Sequence, residues 1–337
     1  MHEALLYTRQ ADGSVVCDLC SHHCHIAAGR RGLCGVRENR DGRLVSLVYG
    51  QLVAAHVDPI EKKPLFHFLP GSRSYSIATV GCNFSCLHCQ NAEISQYPHL
   101  HQGRIDGTPT SPEQVVAEAE RTGSASISYT YVEPTVFYEF ARDCALLGHS
   151  RGLRNVFVSN GYLSPEAIRD LATWLDAINI DLKAYTDTFY RKVCKARLQP
   201  VCDAIRRCHD LGIWVEVTTL VIPGMNDSDD ELRAAARFLC GIAPTIPWHV
   251  TGFYPTYRML DRPPTPLATL RRAREIGLEE GLMHVYQGNV RDEGGEDTRC
   301  PGCGALLIAR HGFHSRIEAL AGGRCTACDR EVAGVWA

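Results

Sequence analysis

This sequence has no apolar run approaching the roughly 18 residues that a membrane-spanning helix requires. Its start, MHEALLYTRQ, lacks the cationic-then-apolar order of a secretory leader, so a cytoplasmic protein is expected. An excess of one charge is also missing. Lys and Arg number 35 against 38 Asp and Glu, a net charge of -3, and no basic field advertises a nucleic-acid partner. With 45% hydrophobic and 22% charged residues, disorder and collagen-like architecture are excluded, and 337 residues suffice for one large core with small appendages.

What the chain has in excess is cysteine. Sixteen are too many for inert core thiols, and a reducing compartment argues against a disulfide framework, which leaves metal as the default explanation. Four fall at 17, 20, 24 and 34, three at 82, 86 and 89, and four at 300, 303, 325 and 328. Of the others, Cys144, Cys202, Cys208 and Cys240 sit in helical stretches and read as small core residues, while Cys194 follows a polar stretch and has no assigned role. Three units are expected: an N-terminal Cys-rich metal-binding segment over 1–50, a catalytic domain over 51–290, and a zinc-ribbon-like segment over 291–337 entered by a polar linker, 291–299.

The central group reads Cys82-Asn-Phe-Ser-Cys86-Leu-His-Cys89. In a shuffled chain of this composition a C-x-x-C occurs about 0.8 times, but C-x-x-x-C-x-x-C only about 0.04 times, so the triple is the informative motif. Three thiolates complete neither a closed tetrahedral zinc site nor the four-cysteine set of an ordinary iron–sulfur cluster. On a cubane they leave one iron free to bind something else; the alternative is a zinc knuckle with a distant fourth ligand.

From residue 74 short apolar strands alternate with amphipathic helical stretches, which argues for parallel βαβ units in an α/β fold. Strands are expected over 74–80, 125–130, 155–159, 177–182, 213–222, 248–253 and 284–287. Helix starts are marked by Ser111-Pro112-Glu113-Gln114, Ser164-Pro165-Glu166 and the acidic Asp227 to Asp230. Six or so repeats are too few for a closed eight-stranded barrel; an open, partial TIM-like barrel fits, and a doubly wound sheet would show the same alternation. In such barrels chemistry sits at the C-terminal strand ends. Cys82, Tyr131 and Glu133, Ser159 and Asn160, Asp181 and Lys183, and Thr218 and Thr219 all fall there.

The spacing of the central cysteines resembles that of the radical S-adenosylmethionine (SAM) enzymes. The resemblance implies a partial (β/α)6 barrel whose [4Fe-4S] cluster, on Cys82, Cys86 and Cys89, chelates SAM at its unique iron and reductively cleaves it to a 5'-deoxyadenosyl radical. Tyr131-Val132-Glu133-Pro134 resembles the family's GGEP motif, which receives the SAM ammonium, with both glycines replaced. Ser159 and Asn160 match positions facing the ribose hydroxyls, with an ordinary Asn-Gly turn as the alternative. DLK, Asp181 to Lys183, resembles the stretch beside the SAM carboxylate in glycyl-radical-enzyme activases, with a plain ion pair as the alternative. Similarity also puts His249 near that carboxylate, with a simply packed strand histidine as the alternative, and His88 beside the adenine, with a solvent-facing loop histidine as the alternative.

The stretches CDLCSHHCHIAAGRRGLCGVREN, DPIEKKPLFHFLPGS, GCNFSCLHCQNAEIS, YTYVEPTVFYE, NIDLKAYTDTFYRKVC, PGMNDS and VYQGN with TRCPGCG resemble the radical SAM enzymes of the AmmeMemoRadiSam system, related to pyruvate formate-lyase activating enzyme. That resemblance implies AMMECR-like and Memo-like partners or a protein substrate, and a reductant such as flavodoxin or ferredoxin. Segment 58–72 is expected to approach the barrel mouth, with Lys62, Lys63, His67 and Phe68 either facing substrate or lying in a solvated loop. For Cys17, Cys20, Cys24 and Cys34, structural zinc and a second [4Fe-4S] cluster suit the spacing equally. Cys300, Cys303, Cys325 and Cys328 have a zinc-ribbon layout, with a rubredoxin-like iron site as the alternative. The contrasting classes for the whole chain are a non-enzymatic metal-binding adaptor and a multi-cluster electron carrier.

Overall fold

The computed structural model describes residues 2–290 and 294–337; residues 291–293 of the expected linker lie outside the described residues. Its main sheet contains β1 (Ala54–Pro59), β2 (Arg73–Ala78), β3 (Ser126–Tyr129), β4 (Arg154–Ser159), β5 (Ala177–Asp181), β6 (Trp214–Val221), β7 (Trp248–Gly252) and β8 (Val285–Gly288). They lie side by side in chain order, β2 to β8 parallel and β1 antiparallel on the β2 edge. A doubly wound sheet reverses strand order at a switch point. No reversal occurs here, so that alternative falls. All seven expected strands form.

Each crossover from β2 to β8 carries one longer helix: α1 (Pro112–Arg121), α2 (Tyr138–Ser150), α3 (Pro165–Leu171), α4 (Leu198–Asp210), α5 (Asp229–Cys240) and α6 (Leu267–Glu279). Local sequence sets their starts. Ser111 and Gln114 form a reciprocal capping box before α1, and the hydroxyls of Ser164 and Ser228 accept the free amides at the starts of α3 and α5. Cys144, Cys202 and Cys208 are buried on the inner faces of these helices, and Cys240 half-buried.

The N-terminal segment shares the main core: Leu19 and Val36 pack with Val80 and Val136 in one continuous cluster. A buried ion pair fastens it there. Arg37 Nη2 donates to Glu139 Oε1 on α2 at 2.8 Å, and the Leu5 amide donates to the same oxygen at 2.7 Å.

Segment 58–72 corrects the expectation made for it. Residues 64–72 are neither a solvated loop nor an approach to the mouth, because with Ile60 they plug the opposite end of the sheet, while Asp58, Lys63 and the exposed Lys62 lie against Tyr131. Ile60, Leu65 and Phe68 are buried against Val156, Ala177 and Trp214, residues near the N-terminal ends of β4, β5 and β6. The Phe66 and His67 amides donate to the two carboxylate oxygens of Glu216 on β6, at 2.9 and 2.8 Å. His67 and Phe68 hold the C-terminal tail instead of facing substrate: Val335 N donates to His67 O at 2.7 Å, and Leu69 N to Val335 O at 2.7 Å. The hydrophobic residues of this stretch outnumber its charges, and only the underside of the sheet offers them burial.

The C-terminal segment has a small core of its own, built on Leu307, Ile308, Leu320 and Val332 with Cys300 and Cys325. It docks on the same underside, where Arg310 Nη2 donates to Phe66 O at 2.7 Å.

His284 lies in this junction, its ring 4.3 Å from that of His67. Burial lowers its pKa to about 4. An unfolded chain therefore takes up the proton first, near 6.5. The stabilisation held above that pH is lost as pH falls towards 4, and is on the order of 3 kcal/mol. The melting temperature is expected to fall from pH 7 to pH 4.5, and less steeply in His284→Gln; parallel slopes would refute the assignment.

Candidate active site and metal centres

β2 ends below a loop that turns through Gly81 at φ +101°, where an added Cβ would stand 2.6 Å from Val36 Cγ1. Only glycine fits this turn. The three cysteines follow on a backbone held from several sides. Ser85 N and Leu87 N donate to Cys194 O and Val193 O at 3.2 and 3.1 Å, and Gln96 Nε2 donates to Phe84 O at 2.9 Å. Cys89 Sγ lies 3.2 Å from Ser95 Oγ. The neighbouring Cys194 thiol, together with burial, pushes the Cys86 pKa well up.

Among the described residues, three or more Cys, His or acidic groups converge to within 4.8 Å only at Cys300, Cys303, Cys325 and Cys328. There Cys300 Sγ and Cys328 Sγ are 3.6 Å apart, and Cys303 Sγ and Cys325 Sγ 3.7 Å. Tetrahedral ligands at a metal–sulfur distance of about 2.3 Å stand about 3.8 Å apart, so this set fits one ion. Cys82, Cys86 and Cys89 do not converge in that way. Thiolates on different irons of a cubane must spread, because each lies outboard of its own iron.

Around this loop the strand ends bring the expected residues together in two groups. In the first, Glu133 is fully buried and its carboxylate gathers donors: Thr135 N at 3.1 Å, Ser159 Oγ at 2.8 Å and Asn160 N at 2.7 Å, with the Thr135 hydroxyl as well. Burial raises its pKa against the pull of these bonds. It caps the short helix Pro134–Phe137, as a surface glutamate would, yet from the interior. Ser159 Oγ is thereby committed to Glu133. The Asn160 side chain bridges Tyr162 N, at 3.0 Å, and Asn83 Oδ1, at 2.7 Å. Both side chains thus shape the turn.

Tyr131, where GGEP has its first glycine, takes φ +64°. This left-handed backbone is uncommon for a bulky residue and persists only when its surroundings over-determine it. They do: Asn91 Nδ2 donates to Tyr131 O at 2.6 Å, and the phenol donates to Asp58 Oδ2. Asp58 also accepts from Lys62 Nζ at 2.8 Å and Lys63 Nζ at 2.6 Å. Burial lowers the Lys63 pKa to about 8 although Asp58 opposes the shift.

The second group forms on the other side of the cysteine loop. Lys183 Nζ donates to Asp181 Oδ2 at 2.9 Å. Burial works against the lysine's charge, but Asp181, Cys86 and Cys194 outweigh it and hold its pKa well above the ordinary value. His88 is buried nearby, kept neutral by burial and by Lys183 with its pKa lowered to about 3. Its Nδ1 has no partner. An orphaned ring nitrogen beside the cysteines fits a bound group with polar edges.

His249 joins neither group. Its Nε2 lies 2.7 Å from Glu216 Oε2 and its ring packs edge-on against Phe66, so it braces the plug below the site. Sequence reasoning did not single out Asp58, Asn83 and Asn91, and it left Cys194 unassigned. For Asp58 the acid–lysine–lysine spacing of DPIEKK was the available signal; the other three act through partners distant in the chain.

The radical SAM superfamily model matches residues 76–239, which contain the cysteine loop, Tyr131, Glu133, Ser159, Asn160, Asp181 and Lys183, four of the seven parallel strands and the end of β2. Across 335 residues the chain is 45% identical to uncharacterized protein MJ0808 of Methanocaldococcus jannaschii, covering 98% of this chain and 99% of that one. The chain carries a radical SAM domain. A second M. jannaschii relative, MJ1632, named as a candidate glycyl-radical enzyme activating enzyme, is 24% identical over 212 residues, 62% of this chain and 78% of its own. Streptococcus suis SuiB, solved with its precursor peptide SuiA, shares the fold at a TM-score of 0.52 and 14% identity over 68% of this chain and 51% of SuiB. No helix among the described residues is long and apolar enough to cross a membrane.

Proposed function

We propose that this radical SAM protein is an enzyme that reductively cleaves SAM and abstracts a hydrogen atom from a substrate yet to be identified, on a partial (β/α)6 barrel open at one side. The observation that carries the reading is the cysteine triple: three thiols on a clamped loop, spread too widely for one ion and bordered by the orphaned His88 ring. Cys82, Cys86 and Cys89 hold a [4Fe-4S] cluster. With SAM bound, that cluster supplies the electron that splits the sulfonium into methionine and a 5'-deoxyadenosyl radical.

The chain's own residues do the positioning. Tyr131 and Glu133 fix the backbone that receives the SAM amino group, and Ser159 and Asn160 hold that backbone against the cysteine loop. Asp181 and Lys183 border the carboxylate side, and His88 Nδ1 accepts from an amino group at the adenine edge. His249 acts through Glu216 as a positioning residue. A low-potential carrier of the flavodoxin or ferredoxin class supplies the electrons. Glycyl-radical activation, with a protein substrate, is the form of the reaction that likeness to activating enzymes favours, and association with AMMECR-like and Memo-like proteins belongs to the same proposal.

Anaerobically reconstituted protein given dithionite and SAM should yield 5'-deoxyadenosine; a protein that binds iron and never cleaves SAM would be an adaptor or electron carrier. Zinc is assigned to Cys300, Cys303, Cys325 and Cys328. Its removal by a thiol-specific mercurial chased with chelator should release about one equivalent and expose residues 294–337 to protease, because a segment with so small a core folds on its metal. In Cys325→Ser, which loses this metal without a reagent that attacks cluster thiolates, SAM cleavage should survive, since the tail docks on the end of the sheet opposite the site.

A further inference from the structure

We propose that Cys17, Cys20, Cys24 and Cys34 hold a second [4Fe-4S] cluster, and that it delivers electrons to the SAM-binding cluster. The four cysteines come from different places and face one space. Cys17 and Cys24 are opposite one another on paired strands, Cys20 bridges to the backbone of Leu163, and Cys34 lies in the loop before the strand Arg37–Arg40. They line one pocket together with His22, Arg37 and Asn83. No three of their sulfurs meet within 4.8 Å, whereas the C-terminal set stands 3.6 and 3.7 Å apart. One chain thus carries two four-cysteine sets of different gauge. The close set suits a single tetrahedral ion, and the wide set suits thiolates that each bind a separate iron.

A second observation points to an anionic occupant with acceptor sulfurs. Two residues that line this pocket each carry a deeply buried donor without a partner, Arg37 Nε and Asn83 Nδ2. Arg37 is only 2% exposed and Asn83 6%. The rest of the Arg37 guanidinium is used by Glu139 and Leu5 O, which leaves Nε without a partner. Donors to cluster sulfur are a principal means by which proteins set the potential of such centres.

The cavity shares a wall with the site above it. Asn83 follows Cys82 directly, and its carbonyl lies 2.8 Å from His22 Nε2, between Cys20 and Cys24. Thr135, which donates to Glu133, lines the same cavity. The relay rests on the proposed SAM chemistry. A reduced carrier of the ferredoxin class gives one electron to the N-terminal cluster, taking it from the 2+ to the 1+ state. That electron then passes to the SAM-binding cluster, which goes from 2+ to 1+ while the donor returns to 2+. No bond or proton changes.

The full chain lacking the upper ligands, Cys82→Ala with Cys86→Ala and Cys89→Ala, prepared anaerobically, should retain about four iron and four sulfide per chain, with spectra that SAM does not alter. Zinc at this set, or no iron in that variant, overturns the cluster. With reduced ferredoxin as donor, Cys24→Ser should form 5'-deoxyadenosine at least about tenfold more slowly than the natural protein, while dithionite, a small donor, keeps the rate within about twofold. Equal loss with both donors, or none with ferredoxin, overturns the relay. Cys20→Ser should give the same split, and metal retained at the C-terminal set reports that either variant has folded. If the natural protein cleaves SAM with neither donor, the proposed enzyme activity fails, and the iron content of the triple variant still decides the lower cluster.

Discussion

Cys86→Ala is expected to abolish 5'-deoxyadenosine formation, a loss of at least about a thousandfold, while the C-terminal metal and the melting temperature stay close to those of the natural protein. The loop does not depend on this thiol for its path, because Ser85 N, Leu87 N and the Phe84 carbonyl hold its backbone. What is lost is one of three corners of a cluster with no thiolate to spare. Cys194 does not replace it. It neighbours Cys86 from Tyr190–Cys194 and stands outside the three-cysteine motif. Cys194→Ala should therefore keep the cluster and change its potential, which removal of a ligand would not do. Retention of more than about a tenth of the activity in Cys86→Ala would mean that the cysteine triple is not the cluster site.

Glu216→Ala should destabilise the protein by about 3 kcal/mol or more. The buried carboxylate accepts four bonds: Phe66 N, His67 N, Trp214 Nε1 at 3.0 Å and His249 Nε2 at 2.7 Å. Truncation leaves two buried amides unpaired, each costing about 1–3 kcal/mol. The plug carries the tail, so protease should reach residues 294–337 in this variant before the rest of the molecule. Loss of the brace on His249 should affect SAM cleavage far less than loss of Cys86. A melting temperature within about a degree of the natural protein's would show that the plug is held by its apolar contacts alone.

The seven parallel strands were legible because each is a short apolar run between marked helix starts, and burial on both faces of a parallel sheet demands such runs. The doubly wound alternative was not excluded by the same signals, since neighbouring order belongs to pairing and not to periodicity. Glu133 shows a similar division. Its position after a strand suggested the rim, but its role as an interior cap appeared only when Ser159 and Asn160 were seen to donate to it. His249 misled for the same reason: on a strand it can face the site or the plug, and the partner that decides, Glu216, lies 33 residues away.

By itself the sequence determined the three cysteine groups, the alternation of strand and helix, the caps and the rim on which the chemistry gathers. All of these are set by spacing within a few residues, where chain connectivity already fixes geometry. Only the tertiary structure decided the gauge of each cysteine set, the burial of residues 64–72 beneath the sheet, the left-handed Tyr131 and the proximity of Cys194 to Cys86. Those depend on side chains brought together by packing from distant positions, and a one-dimensional pattern holds no record of which distant surfaces will exclude water from one another.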